Sequence, residues 1–345
     1  MIKKPTTRRQ HYVWQKYLEP WKINNKVWCE RNNKVFNTST KNIVLEKDMY
    51  KFHELNDLEK KVLKMALIDY RKDVENLVNQ EMSLLESISV LSKVNPGKLI
   101  EVLADDYRLK VSQGKNEINI DKIADLLKNN KNPKLRKQLN HLVKNFRIQC
   151  GEDLMTLNEN SGHKFIDNLL NSDICFFRED NPEMFDFYIY ILSQYFRTAK
   201  IKKRLTKNFK IIEKELKQHF KSNLNIDGKK IYSHLVHALI TKSSISMYED
   251  KNYRIILMKS NSKHFITSDQ PVMNIDEELD KNGYNVNMEL LMAISPIKAI
   301  KITKKIKENI ITEIDDKTVS YINNLIKKHS YNTIIGDSSN AINLV

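Results

Sequence analysis

Residues 253–272 read YRIILMKSNSKHFITSDQPV, and their reading decides the fold. Two runs rich in apolar residues, Tyr253–Met258 and His264–Thr267, flank the polar stretch Lys259-Ser260-Asn261-Ser262, the pattern of two strands about a turn. Downstream, strands are expected at Leu290–Ile294, Ala299–Thr303 and Ile310–Ile314, then a helix over Thr318–Lys328 and a last strand at Thr333–Ile335. At the other end, Lys26–Glu30 and Lys34–Asn37 form a plausible hairpin around Arg31-Asn32-Asn33.

Between these ends the pattern is helical. Leu58, Val62, Met65, Ala66, Val74, Leu77, Val78, Met82 and Leu85 recur at helical spacing within Leu58–Leu91. Asn56-Asp57-Leu58-Glu59 supplies a capping box at the start, and Pro96-Gly97 closes the segment. Shorter helices are expected at Lys98–Leu103, Ile120–Lys128, Lys134–Phe146 and Lys164–Leu170. Asn181-Pro182-Glu183 is a helix entry leading to about Arg197, with further helices over Ile201–Phe220 and Lys230–Ser246. The expected class is α+β: β-rich segments 1–45 and 251–345 meet in one sheet, with 50–250 a mainly helical insertion. This reads residues 1–345 as a single domain, two independent domains being the weaker reading.

Composition narrows the function. The 345 residues include only 7 Gly and 7 Pro, which excludes collagen-like and Gly/Pro-rich chains. No apolar run approaches the ~18 residues of a membrane helix, and no signal-peptide pattern opens the chain, so a cytoplasmic protein without a membrane partner is expected. Cys29, Cys150 and Cys175 are far apart and form no metal-ligand pair. The 58 Lys and Arg against 43 Asp and Glu give a net charge of +15, which favours an anionic partner, nucleic acid first. Lys131–Arg147, Lys200–Lys221 and Lys298–Lys307 hold much of the excess. In the second stretch Lys200, Lys202, Lys203, Arg204, Lys207 and Lys210 precede any acid, fit to track phosphates or simply to solvate a helix face. The abundance of Asn, Ile and Lys also matches an AT-rich coding bias, which raises Lys without function.

Three motifs carry chemistry. In His11-Tyr12-Val13-Trp14-Gln15, a spacing of four keeps His11 and Gln15 on one face of either a helix or a strand. Gln194 and Arg197 share a face at the end of an expected helix, where a guanidinium can grip a phosphate or carboxylate, or pair with a structural acid. Ser268 and Asp269, between a strand and Pro271, are placed either as reacting groups or as an Asx turn. His234 and His237 lie three apart on a helix but lack a third ligand for zinc. No Walker loop, zincin or nucleophile-elbow motif is present, so no metal and no cofactor is expected.

Together these motifs resemble the bacterial family catalogued as domain of unknown function 4238. The likeness rests on His11-Tyr12-Val13 with Gln15 and Tyr17-Leu18, Gln194–Thr198, Thr267–Val272 and Ile294-Ser295-Pro296, in that order across the chain. Trp14 and Ala199 stand where the family usually has proline. The resemblance implies a single-gene protein of mobile elements or anti-phage defence, with His11, Gln15, Gln194, Arg197, Ser268 and Asp269 converging on one site. The expected activity is a toxic endoribonuclease: His11 moves protons, Arg197 neutralises developing charge and Asp269 orients His11, without metal. Two alternatives stand beside it. One is a metal-dependent nuclease using Asp269 with Glu81 or Glu86; the other is a non-catalytic sensor or nucleic-acid-binding module answering a phage-derived trigger. RNA is favoured over DNA, and the oligomeric state is open.

Overall fold

In the computed structural model, residues 8–67, 133–220, 226–276, 278–279 and 285–343 are described. The expected helices at Lys98–Leu103 and Ile120–Lys128, the continuation of the Leu58–Leu91 helix beyond Leu67, Pro96-Gly97 and the acids Glu81 and Glu86 lie outside these residues. The class is α+β, with strands at both ends of the chain and helices in the middle. The chain divides into two compact units: one of Met1–Arg8, Tyr50–Leu154 and Asn208–Ala238, the other of Arg9–Met49, Met155–Lys207 and Leu239–Val345.

The described strands all lie in the second unit. β1 (Arg9–His11) pairs with β4 (Leu45–Lys47), enclosing the hairpin β2 (Val27–Arg31) and β3 (Lys34–Thr38) in sequence. The hairpin turn is Asn32-Asn33, both at positive φ, which asparagine tolerates better than other side chains. The C-terminal segment supplies β5 (Arg254–Ser260), β6 (Thr267–Ser268), β7 (Val272–Asn274), the short pair β8 (Glu278–Leu279) and β9 (Asn285–Asn287), β10 (Leu290–Ser295), β11 (Lys298–Thr303), β12 (Ile310–Ile314) and β13 (Ile334–Gly336).

The two ends do meet in one sheet, ordered β3-β2-β13-β6, with β13 seated between an N-terminal and a C-terminal strand. A second sheet, β12-β5-β11-β10-β7, is entirely C-terminal, and its strand β10 is buried along its whole length. The N-terminal segment is latched to these strands by side chains. The Tyr17 hydroxyl lies 2.6 Å from both Thr267 Oγ1 and the Ala293 carbonyl, and Trp21 Nε1 donates to the Phe265 carbonyl at 3.2 Å.

Three expectations change. The strand expected at His264–Thr267 shrinks to Thr267–Ser268, because Phe265 N–H donates to the Pro296 carbonyl and Ile266 N–H to Asn323 Oδ1 instead of to a ladder. A strand, β7, stands just after the turn. The helices expected at Lys134–Phe146 and Lys164–Leu170 are one 38-residue helix, α2 (Pro133–Leu170). Gly151 and Gly162 interrupt its apolar pattern for a packing reason: a Cβ on Gly151 would sit 2.0 Å from the Tyr50 carbonyl oxygen, and one on Gly162 would sit 2.1 Å from Tyr190 Cβ. The remaining helices among the described residues are α1 (Asp57–Leu67), α3 (Met184–Phe196), α4 (Ala199–Phe220), α5 (Gly228–Glu249), α6 (Asp316–His329) and α7 (Ser339–Asn343).

The first unit is described by its own packing. The capping box forms as read: Asn56 N–H donates to Glu59 Oε2 and Glu59 N–H to Asn56 Oδ1, both at 2.8 Å. Phe52 packs against His234 edge-on and stacks on His237, and His234 Nε2–H donates to the His53 carbonyl at 2.9 Å. These are core histidines. Burial lowers His234 to about 4, against the upward pull of that carbonyl; burial and then the neighbouring His234 lower His237 to about 4. An unfolded imidazole titrates near ~6.5, so between that value and about 4 the unfolded chain binds more protons. Stability is therefore held above pH ~6.5 and lost as the pH falls toward 4. The urea midpoint should drop between pH 7 and pH 4.5, and His237→Gln, neutral throughout, should make that drop shallower.

Candidate functional site

His11 closes β1, where pairing with Leu45 fixes its backbone. The chain then turns back, bringing Gln15 Nε2 to 3.2 Å from Nδ1 and 3.3 Å from Nε2 of the imidazole. The amide N–H donates to whichever ring nitrogen carries no proton. The ring is half-buried. Burial lowers its pKa, the Thr40 and Lys41 carbonyls raise it, and the positive field of Arg197 lowers it again. The net shift is downward, so His11 is neutral at pH 7.

Arg197 caps the C-terminus of α3 and is 1% exposed. Its Nη1 donates to Glu159 Oε1, on α2, and its Nη2 to Gln194 Oε1 at 3.1 Å. Burial pushes the Glu159 carboxyl up while the guanidinium pulls it down. One turn back along α3, Ser193 Oγ accepts from Asn158 Nδ2 at 3.1 Å, a second polar tie between the two helices. Beside the ion pair, the Tyr190 hydroxyl and Gln194 Nε2 are buried and meet no hydrogen-bond partner among the described residues. Trp14, next in chain to the His11 loop, packs edge-on against both Tyr190 and His163.

The third motif builds a turn and an anchor. Ser268 Oγ donates to the Gln270 carbonyl and accepts from Gln270 N–H, both at 3.1 Å. Asp269 is 1% exposed and accepts three backbone N–H groups: Tyr331 at 2.8 Å on Oδ1, Asn332 at 2.7 Å and Thr333 at 3.0 Å on Oδ2. Burial raises its pKa, and these three donors and Arg31 lower it. Gln270 joins the motif to the second: its Oε1 accepts from the Thr198 hydroxyl, and its Nε2 donates to the Tyr195 and Val272 carbonyls at 3.1 and 2.9 Å.

The motifs are therefore neighbours, but not in the roles expected of them. His11 and Gln15 form one pair, Gln194 and Arg197 another, within electrostatic reach of each other. Ser268 and Asp269 do not join them: Asp269 is committed to the 331–333 loop and makes no hydrogen bond to His11, which corrects the expectation that it orients the imidazole. Arg197 likewise spends both terminal nitrogens inside the protein. The residue the sequence reading missed is Glu159. It sits in the segment of α2 that was not read as helix, and only a buried arginine needing a counter-charge would have called for it.

In the basic run, Lys200 Nζ donates to the His329 carbonyl at 2.7 Å and Lys202 pairs with Glu46 at 2.6 Å. Lys203, Arg204 and Lys207 are exposed, with Lys203 over the Tyr331 ring at 5.2 Å. Among the described residues no group of three His, Cys, Asp or Glu could hold a metal ion. No described helix is long and apolar enough to cross a membrane.

Removing one member of a buried ion pair strands the other, at a cost of about 3–5 kcal/mol. Arg197→Met and Glu159→Gln should each lower the unfolding free energy from denaturant titration by that order, and the double variant should lose less than the sum. His11→Ala, at a half-exposed position, should change stability by under about 1 kcal/mol.

Comparison with known proteins gives a single finding. Residues 9–340 match the family model described as protein of unknown function (DUF4238). No curated protein and no solved structure matches the chain. With nearly its whole length covered, the chain belongs to the DUF4238 family.

Proposed function

We propose that the protein binds nucleic acid, RNA in preference to DNA, through the exposed cations of α4. The observation that carries this reading is a contrast between neighbouring cations: Arg197 is consumed by Glu159 and Gln194, whereas Lys203 and Lys207 are exposed on a chain of net charge +15. Lysine-rich faces grip phosphates without reading bases, so binding is expected to be tight at low salt and tolerant of sequence. In a bacterial cell such a module would act in defence, engaging host or phage RNA once a phage component is present.

A second reading, cleavage of that RNA, is favoured by His11. It is half-buried, neutral and accepts from Gln15, the state a general base requires. With Arg197 and Asp269 engaged internally, His11 would act with little electrostatic help from the other motifs, so turnover is expected to be slow.

Affinity for single-stranded RNA should fall linearly with salt on a log–log scale, with a slope of about −0.7 per neutralised phosphate. The triple variant Lys203→Gln, Arg204→Gln, Lys207→Gln should flatten that slope by about 2. An unchanged slope would remove the α4 face from the interface. Growth arrest and total-RNA integrity, measured on expression of the protein and of His11→Ala, separate the two readings: intact RNA with both proteins leaves binding alone.

A further inference from the structure

A polar cleft of about 310 Å³ opens between the β2–β3 turn, the segment leading into β4 and the loop before β13, lined by Tyr12, Arg31, Asn32, Asn42, Asn332 and Thr333. That volume falls at the lower end of the ~300–1,000 Å³ of small-molecule sites. Several of its side-chain polar groups are not spent on the fold. Arg31 Nε donates to Thr333 Oγ1 at 3.0 Å, and among the described residues the two terminal nitrogens of the guanidinium make no hydrogen bond or ion pair. The Tyr12 ring is 7% exposed, yet its hydroxyl meets no partner there either. The side-chain amides of Asn32, Asn42 and Asn332 are exposed and equally unengaged.

We infer that this cleft is a nucleotide-binding site, with Arg31 holding the phosphate and the asparagine amides and the Tyr12 hydroxyl reading the polar edge of the base or sugar. A free guanidinium fork matches two phosphate oxygens, and carboxamides both donate and accept, as the edge of a base demands. Asp269 lies behind the wall, its oxygens saturated by the 331–333 amides, and its charge opposes a bare anion. A mononucleotide offsets that cost with amide and hydroxyl contacts that inorganic phosphate cannot make, so the cleft favours a ligand with one phosphate and a neutral polar body. The same chemistry is offered by a free mononucleotide and by one residue of a bound RNA strand. The site stands independently of the α4 face, since Lys203, Arg204 and Lys207 do not line it.

The test is calorimetric titration of the full-length protein with the four ribonucleoside 5′-monophosphates, the matching nucleosides, inorganic phosphate and a single-stranded RNA hexamer. A monophosphate should bind at least about tenfold tighter than its nucleoside or inorganic phosphate, the ~1.4 kcal/mol expected of a charge-assisted contact. Arg31→Lys, which keeps the charge but loses the fork, and Asn42→Ala, at an exposed position, should each weaken it. The triple α4 variant should lose hexamer affinity and keep monophosphate affinity. If the hexamer alone binds and Arg31→Lys weakens it, the occupant is a residue of the strand. No binding of either, or binding unaffected by Arg31→Lys and Asn42→Ala in folded protein, overturns the assignment.

Discussion

A guanidinium at 1% exposure must find its counter-charge inside the protein, and Arg197 finds Glu159. Much of the surrounding architecture follows from that requirement. The carboxylate must come from α2, so α2 and α3 have to pack closely, and Gly162 removes the side chain that would hold Tyr190 away. Gln194 takes the second guanidinium nitrogen from its own helix, which fixes the register of the α3 C-terminus. Thr198 follows at once and ties that end to Gln270. Taking two charges out of water is expensive, and such a pair specifies an arrangement more than it stabilises one.

What the sequence made legible was local. The apolar runs Leu290–Ile294 and Ala299–Thr303, the helix over Thr318–Lys328 and the Asn56–Glu59 cap are each written within a few residues, and each forms close to its expected place. The joining of the two ends in one sheet was also legible, because neither hairpin nor short strands can bury a face alone. What escaped was long-range. Glu159 and Arg197 are 38 positions apart, and the glycines needed for close packing erased the apolar rhythm of the helix that carries the acid. Asp269 and its three amide donors are more than 60 positions apart, so its anchoring role had no signature in the Thr-Ser-Asp-Gln-Pro stretch itself.

The motifs consequently divide by exposure. Gln194, Arg197, Ser268 and Asp269 are buried and internally satisfied or nearly so, which is the behaviour of residues that define a shape. His11 and Gln15 are only half-buried, and the terminal nitrogens of the Arg31 fork are unspent among the described residues. A recurring polar residue can thus mark either a reacting group or the joinery behind one, and burial with saturated partners is what separates them.

Three successive backbone N–H groups ending on the single carboxylate of Asp269 make an unusual surface loop. A connection of that kind ordinarily wanders, yet here its peptide planes are pinned from below like a keystone course. One bank of the Arg31 cleft is thereby preset, and any adjustment to an incoming molecule must come from the opposite bank, where Asn32 sits at the tip of a hairpin.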